Sequence, residues 1–451
     1  MAETIQKPKP ISGFPEYTPA EQILFDGWLD VIRRTYRLYG FVPIETPAVE
    51  RRSTLTAKGG IEHEIYGLTR LREDGRDEDT DLALHFDLTV PLARYVAMNE
   101  GGLSFPFKRY QIQKVWRGER AQKGRFREFY QCDIDIIGKG SLPLLADAEM
   151  PSIIYRIFKE IDIGPFQIRI SNRRLAQAFF ARRGVSSDKM KLARDILDSL
   201  DKVGSLQVTH FLCEQISMTE LNARGLIEDL STSRSIDETL AHLVSLPDGS
   251  GLQQGVAELH EVVENIRMLG VPDDAFRVDP LVMRGLDYYT GTVYETSLLR
   301  RPGLGSICSG GRYDDLAGFF TNSRLPGVGI SIGLTRLFSE LKDALIGDQS
   351  PSTIAPVLVT MADTQSTQLA LQIAERCRQE GLAVETSLQA DDLSKVIKYA
   401  LRRRFSLMII VGGKNAQNGT VRVKDLRSGK MYQHAPEEVV STAQHLLQLT
   451  E

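Results

Sequence analysis

Cysteine is scarce in this 451-residue chain, and the four present, Cys132, Cys213, Cys308 and Cys377, never come within a CxxC spacing. That excludes a disulfide framework and a zinc ribbon, and leaves reduced, mostly buried thiols as the expectation. The histidines show no metal-ligand spacing either, so no zinc and no dedicated protein metal site is expected. No run approaches about 18 uninterrupted apolar residues. The stretch from Met1 to Pro10 has no apolar signal core, so no membrane association is expected and the compartment is expected to be cytoplasmic. Charge of one sign is not in excess: 55 Lys+Arg against 59 Asp+Glu leave a formal charge of −4. A nucleic-acid partner would therefore have to be met by local basic patches rather than by a global field. Neither GxxxxGKS/T nor GxGxxG after a strand occurs, and the Gly327, Gly329, Gly333 spacing fits neither. A phosphate site in this chain must rest on arginines and a divalent ion.

What is present is ordinary in bulk, with 42% apolar and 25% charged residues, and long enough for several domains. Thr18, Pro19 and Glu21 form a helix start, with Thr18 as N-cap, Pro19 at the first helical position and Glu21 reaching back. The helix ends near Gly40, and the stretch from Phe41 to Glu50, broken by Pro43 and Pro47, belongs at a sheet edge or an interface. The charge run at 72–79 reads as a solvated hairpin tip. Strands expected at Leu82–Leu88, Phe107–Val115 and Phe129–Ile137 have few helical crossovers between them, which favours an antiparallel sheet. From about Ile170 to Val271 the spacing turns helical, and strand patterning resumes afterwards. Beyond a polar linker at 347–355, strands and helices alternate as a compact α/β domain.

Two segments concentrate polar chemistry. Arg284, Asp287, Tyr288 and Tyr289, bracketed by Gly285 and Gly291, offer a planar cationic fork and phenols suited to a small zwitterion. A half-buried hairpin with a surface ion pair would use the same residues. Arg117, Glu119, Arg120, Lys123, Arg125, Arg127 and Glu128 surround a turn at Gly124, as a basic hairpin for nucleotide phosphates or an RNA end, or as a salt-bridged surface hairpin.

The Arg117 hairpin ending in Phe129-Tyr130-Gln131-Cys132-Asp133, the Arg284 to Gly291 run, the Ser309 to Asp314 glycine turn and the Gly327 to Arg336 segment together resemble the histidyl-tRNA synthetases. Pro47, Arg117 and Arg336 sit where class II motifs 1, 2 and 3 expect them, and the likeness spans nearly the whole chain. It implies an α+β fold, with an antiparallel-sheet catalytic domain in two parts, 1–169 and 272–346. A helical insertion at 170–271 and a C-terminal α/β anticodon-binding domain at 356–451 complete it. It further implies a homodimer, ATP as substrate with Mg²⁺, and ligation of L-histidine to tRNA(His) through histidyl-adenylate. By that resemblance Asp87, Thr89 and Gln131 hold the α-amino group, while Asp135 and Tyr289 read the imidazole beside Tyr288. Arg117 and Arg284 are the catalytic arginines at the α-phosphate and carboxylate, Arg125 and Arg336 lie near the outer phosphates, and Glu119 flanks the nucleotide. Lys123, and Lys395, Lys398 and Arg402 on one helical face, are the expected tRNA contacts.

The chain departs from the family pattern at three places. Ser331 stands where glycine is frequent, Thr335 where an acid usually precedes Arg336, and Asp135 is one methylene shorter than Glu. A synthetase-like regulatory subunit of ATP phosphoribosyltransferase is the alternative. Such paralogues lack the C-terminal domain and tend to lose active-site residues, whereas this chain retains Arg284 and residues 356–451.

Overall fold

The computed structural model describes residues 7–57, 62–69, 81–122, 124–197, 199–230, 235–247, 251–282, 289–315, 317–347, 352–413 and 419–448. The charge run at 72–79, Lys123, Arg284, Tyr288 and linker positions 348–351 lie outside them. Two compact units divide the chain: Met1–Pro15 with Trp28–Leu341, and Glu16–Gly27 with Lys342–Glu451.

In the first unit, edge strand β1 (Val42–Pro43) is followed by a small hairpin-like pair, β2 (Val49–Arg51) and β3 (Leu82–Leu84), that stands apart. The main sheet continues with β4 (Phe107–Trp116), β5 (Glu128–Ile137), β6 (Phe166–Asn172), β7 (Phe276–Val278), β8 (Thr292–Leu298), β9 (Ser306–Tyr313) and β10 (Gly327–Gly333). Its order is β1-β4-β5-β10-β9-β8-β6-β7. The inner pairs are antiparallel, as expected, and only the two edge pairs run parallel. Pro43, which cannot donate to a ladder, sits on edge strand β1.

Period-two alternation gives this sheet two unlike faces. Along β5, Cys132, Ile134 and Ile136 are buried on one side while Gln131, Asp133 and Asp135 point to the other. Each buried isoleucine contributes about 1.5–3 kcal/mol of transfer free energy. Helices Pro19–Leu38 and Leu145–Ile161 tie into the main sheet: the Tyr36 hydroxyl donates to the Cys132 carbonyl at 2.9 Å, and Tyr294 donates to the Asp147 carbonyl at 2.7 Å. The N-terminal start of the first helix is as expected, with Glu21 accepting the Thr18 backbone N–H at 2.6 Å.

Two element boundaries differ from expectation. The strand expected over Leu82–Leu88 stops at Leu84, because the Asp87 carboxylate accepts the Val90 N–H at 3.2 Å and turns the chain into helix Thr89–Asn99. Strand β6 runs on to Asn172, whose side chain caps the next helix by accepting the Arg174 N–H at 2.9 Å. Helices then occupy most of the chain from Arg173 to Met268 before β7 rejoins the sheet beside β6.

The second unit holds β11 (Val357–Met361), β12 (Val384–Thr386), β13 (Leu407–Val411), β14 (Val421–Asp425) and β15 (Met431–His434), in the order β12-β11-β13-β14-β15. Of its three parallel strands β11 and β13 are buried throughout, β12 lies at the edge with only Val384 buried, and an antiparallel hairpin completes the sheet. Among the described residues no helix is long and apolar enough to cross a membrane.

Candidate active site

The polar face of the main sheet floors a cavity of about 310 Å³. Its lining includes Asp87, Thr89, Arg117, Glu119, Arg125, Gln131, Tyr289 and Arg336, so the described residues expected in the catalytic site converge there, apart from Asp135. Asp135 lies deeper, in a recess of about 20 Å³ that shares Thr89, Tyr289 and Ser331 with the cavity. Arg284 and Tyr288 are not among the described residues.

Arg117 and Arg336 are held by backbone carbonyls. Arg117 Nε donates to the Phe86 carbonyl at 3.0 Å, and its guanidinium lies 5.1 Å from the centre of the Phe129 ring. Arg336 donates to the carbonyls of Gly124 at 2.7 Å and Ser306 at 3.0 Å. Arg125, half exposed at the mouth, meets Glu119 at 3.2 Å. Burial and the like charges of Arg125 and Arg117 hold Arg336 below the usual arginine range, with Glu119 opposing. Three guanidiniums beside one carboxylate leave a surplus of positive charge, which suits a polyanion.

The inner end has the opposite balance. Gln131, Asp133 and Asp135 alternate along β5, and across the ladder they face Gln113, Gln111 and Arg109 on β4 and Gly333, Ser331 and Gly329 on β10. Arg109 is fully buried and meets Asp135 Oδ2 at 2.5 Å, while the Tyr313 hydroxyl donates to Asp135 Oδ1 at 2.9 Å. Burial pushes Asp133 up to about 7 and Asp135 to about 6, with Arg109 opposing in both. Asp87, also buried, is raised by desolvation against the pull of the Val90 N–H and Arg117. Gln131 Nε2 donates to Ser331 Oγ at 2.9 Å, and its buried Oε1 has no partner among the described residues. An acceptor left in this state fits a cationic donor.

Glycine makes the room. A Cβ at Gly329 would sit 2.1 Å from Asp135 Oδ1, and one at Gly311 would sit 2.9 Å from the Tyr289 ring. Of the two motif departures, Ser331 lines both spaces, whereas Thr335 turns inward, its hydroxyl accepting the Tyr130 N–H at 2.9 Å. Thr335 thus joins helix Leu334–Leu345 to the start of β5. Sequence reasoning missed Asp133, Arg109 and Tyr313; the alternation Gln131, Asp133, Asp135 was the available signal for the first.

In the second unit, helix Leu393–Arg403 buries Val396 and Ala400 and exposes Lys395, Lys398 and Arg402. The expected basic residues share one solvent-facing side, set apart from Arg403, which pairs with Glu385 at 3.4 Å. Among the described residues no group of three or more His, Cys, Asp or Glu could hold a metal.

Comparison with known proteins adds an independent line. Residues 13–337 match the family model described as histidyl-tRNA synthetase, and residues 353–446 match an anticodon-binding domain. A histidine–tRNA ligase of Xylella fastidiosa strain M23 is 45% identical over 97% of this chain and 98% of its own length. One from Clostridium tetani is 42% identical over 98% and 99%. The crystal structure of histidyl-tRNA synthetase from Nostoc sp. PCC 7120 superposes with a TM-score of 0.89 at 41% identity, covering 98% of this chain and 100% of that one.

Proposed function

The chain belongs to the histidyl-tRNA synthetase family, and from that premise we infer that it is a histidine–tRNA ligase. It activates L-histidine with ATP to histidyl-adenylate and pyrophosphate, then passes the histidyl group to the 3′ end of tRNA(His). The observation that carries this reading is the cavity lined by Arg117, Arg125 and Arg336, which adjoins the acidic recess of Asp133 and Asp135 through Thr89, Tyr289 and Ser331.

In the first step a carboxylate oxygen of histidine attacks the α-phosphorus and pyrophosphate leaves, so negative charge spreads over the phosphoryl oxygens. Fixed guanidiniums stabilise that charge without any nucleophilic side chain. Arg117, with Arg284 by family resemblance, takes the α-phosphate and the histidine carboxylate. Arg125 and Arg336 take the outer phosphates of ATP, which enters with Mg²⁺, and Glu119 flanks the nucleotide. Asp87, Thr89 and Gln131 receive the α-ammonium group; the open Oε1 of Gln131 supports this. The recess of Asp135 and Tyr289 receives the imidazole, with Tyr288 assigned to the same pocket by family resemblance. A site that pairs ring nitrogens rejects apolar analogues by about 10⁴ or more, since their entry leaves buried polar groups unpaired.

The catalytic domain is read as 1–169 with 272–346 around a helical insertion at 170–271, followed by a linker at 347–355. Residues 356–451 then bind the anticodon arm. The match to an anticodon-binding domain at 353–446 supports ligation over the regulatory-subunit alternative. The protein works as a homodimer in the cytoplasm, and the exposed apolar residues Leu38 and Val42, the latter on edge strand β1, support the dimer.

Histidine alone among the twenty amino acids should drive ATP–pyrophosphate exchange; exchange with another, or with none, would end this reading. Replacing Lys395, Lys398 and Arg402 together by alanine should lower the slope of log affinity for tRNA(His) against log salt by about 2 to 3, while leaving exchange intact. An unchanged slope removes that helix face, and with it Lys395, Lys398 and Arg402, from the tRNA interface. Lys123, which precedes Gly124 in the sequence, is a further proposed tRNA contact.

A further inference from the structure

Strand β7 ends at Val278, and the chain then runs on toward Arg284. The first residue beyond the strand, Asp279, is fully buried, and both of its carboxylate oxygens are bound. Oδ2 accepts from Arg277 at 2.8 Å and from Arg169 at 3.4 Å, while Oδ1 accepts the backbone N–H of Leu281 at 3.1 Å. Its carbonyl accepts the Val282 N–H at 3.0 Å, and its own N–H donates to the Ile170 carbonyl at 2.8 Å. Asp279 is therefore fixed to β6 on one side and holds a turn of the chain bound for Arg284 on the other.

Arg169 lies across the ladder from Arg277, and like charges so placed repel, so the carboxylate set between them offsets a destabilising pair. Arg169 also donates to Glu295 at 2.8 Å, which lies opposite it on β8 and is itself opposite Ser309 of the cavity lining. Two guanidiniums and two carboxylates thus form a neutral, hydrogen-bonded row that reaches the edge of the cavity. Cohesion of the sheet accounts for Asp279 Oδ2 and for Glu295. It does not require the bond from Oδ1 to Leu281, which lies past the strand and serves only the onward chain. After the segment that carries Arg284 the chain is pinned again: the Thr290 N–H donates to the Arg312 carbonyl at 2.8 Å, and the Gly291 carbonyl accepts the Arg173 N–H at 2.8 Å.

We propose that Asp279 is a positioning residue for Arg284: the Arg169–Asp279–Arg277 cluster sets the turn at Leu281 and Val282, and through it the place at which the Arg284 guanidinium meets the α-phosphate. Val282 is followed by Arg284 after a single residue, so the turn passes on its position through no more than about 7 Å of chain. A misplacement of about 1 Å in a group that must meet the reacting atoms costs about 10²-fold in rate. Asp279 acts through Arg284 and touches no substrate. This assignment rests on the histidine-ligase reading above and on its placement of Arg284 among the catalytic arginines, and it adds the group that holds that arginine ready.

The test is a double-mutant cycle read by ATP–pyrophosphate exchange on the full-length protein. The wild type is measured first, because absence of histidine-dependent exchange defeats the ligase reading itself. Arg284→Ala is measured next and should slow exchange by about 10² to 10³; wild-type kcat in it removes Arg284 from the chemistry, and the proposal falls with that assignment. With both established, Asp279→Asn should lower kcat about 10- to 100-fold while the KM values for histidine and ATP stay within about threefold. Added to Arg284→Ala, the same substitution should lower kcat by less than about twofold, since the group it positions is already gone. An equal fall in both backgrounds, or a lowered melting midpoint with kcat unchanged, overturns the proposal and leaves Asp279 as a staple of the sheet edge. Should Asp279→Asn fail to fold by circular dichroism, Arg277→Ala decides, because it leaves Arg169 as the carboxylate's cation. Its kcat should fall about 3- to 10-fold, and again by less than about twofold in the Arg284→Ala background. An unchanged kcat in Arg277→Ala, or an equal fall in both backgrounds, overturns the proposal.

Discussion

Arg117→Ala is expected to slow histidine-dependent pyrophosphate exchange by about 10² to 10³, equivalent to about 3–4 kcal/mol of transition-state stabilisation. The size follows from preorganisation. Arg117 already has its Nε bound to the Phe86 carbonyl at 3.0 Å and its guanidinium against Phe129, so it does not have to reorganise as charge develops on the α-phosphoryl oxygens. Asp87 and Gln131 line the same cavity, so on the proposed reading the carboxylate and the α-ammonium group of histidine are held in register. The loss should fall on kcat more than on the KM for histidine, because the interaction strengthens in the transition state. Arg117 is only part-buried, so the melting midpoint should hardly move. A variant with wild-type kcat would take Arg117 out of the chemistry.

Arg109→Met should cost about 3–5 kcal/mol of stability, because it leaves Asp135 and its neighbour Asp133 buried without their nearest cation. The cost should depend on pH in a defined direction. Both carboxyls are raised in the folded protein, to about 6 for Asp135 and about 7 for Asp133. For raised acids the stabilising contribution is complete below the unfolded value near 4 and is lost as pH climbs through the folded values. Removing Arg109 raises both further and prolongs that loss. The gap in melting midpoint between wild type and variant should therefore be small at about pH 5 and large at about pH 8. An equal gap at both would mean that Arg109 acts through packing alone.

Much of the fold was legible because two periodicities do most of the work. The alternation Cys132, Ile134, Ile136 against Gln131, Asp133, Asp135 announces a strand with one apolar and one polar face, and the antiparallel sheet follows from its neighbours. The helix start at Thr18 was equally local. What could not be read were partnerships between distant positions. Arg109 looks like any strand cation until β4 is laid against β5, and Thr335 bonds to Tyr130 across 205 residues. Asp87 was singled out only through the family resemblance, and its acceptance of the Val90 N–H moved the strand end by four residues from Leu88 to Leu84. Asp133 was overlooked for a different reason: resemblance directs attention to positions a family shares, whereas the burial that raises its carboxyl emerges only with β4 and β10 on either side.

The bare floor beneath the recess also restricts how this pocket could be retargeted. At Gly311 and Gly329 nothing remains to trim, since neither carries a side chain and an added methyl would strike Tyr289 or Asp135. Substitution at those two positions can only shrink the chamber. A version accepting a bulkier amino acid would have to be carved from the aromatic wall, at Tyr289 or Tyr313, and would lose ring-nitrogen selectivity in the same stroke.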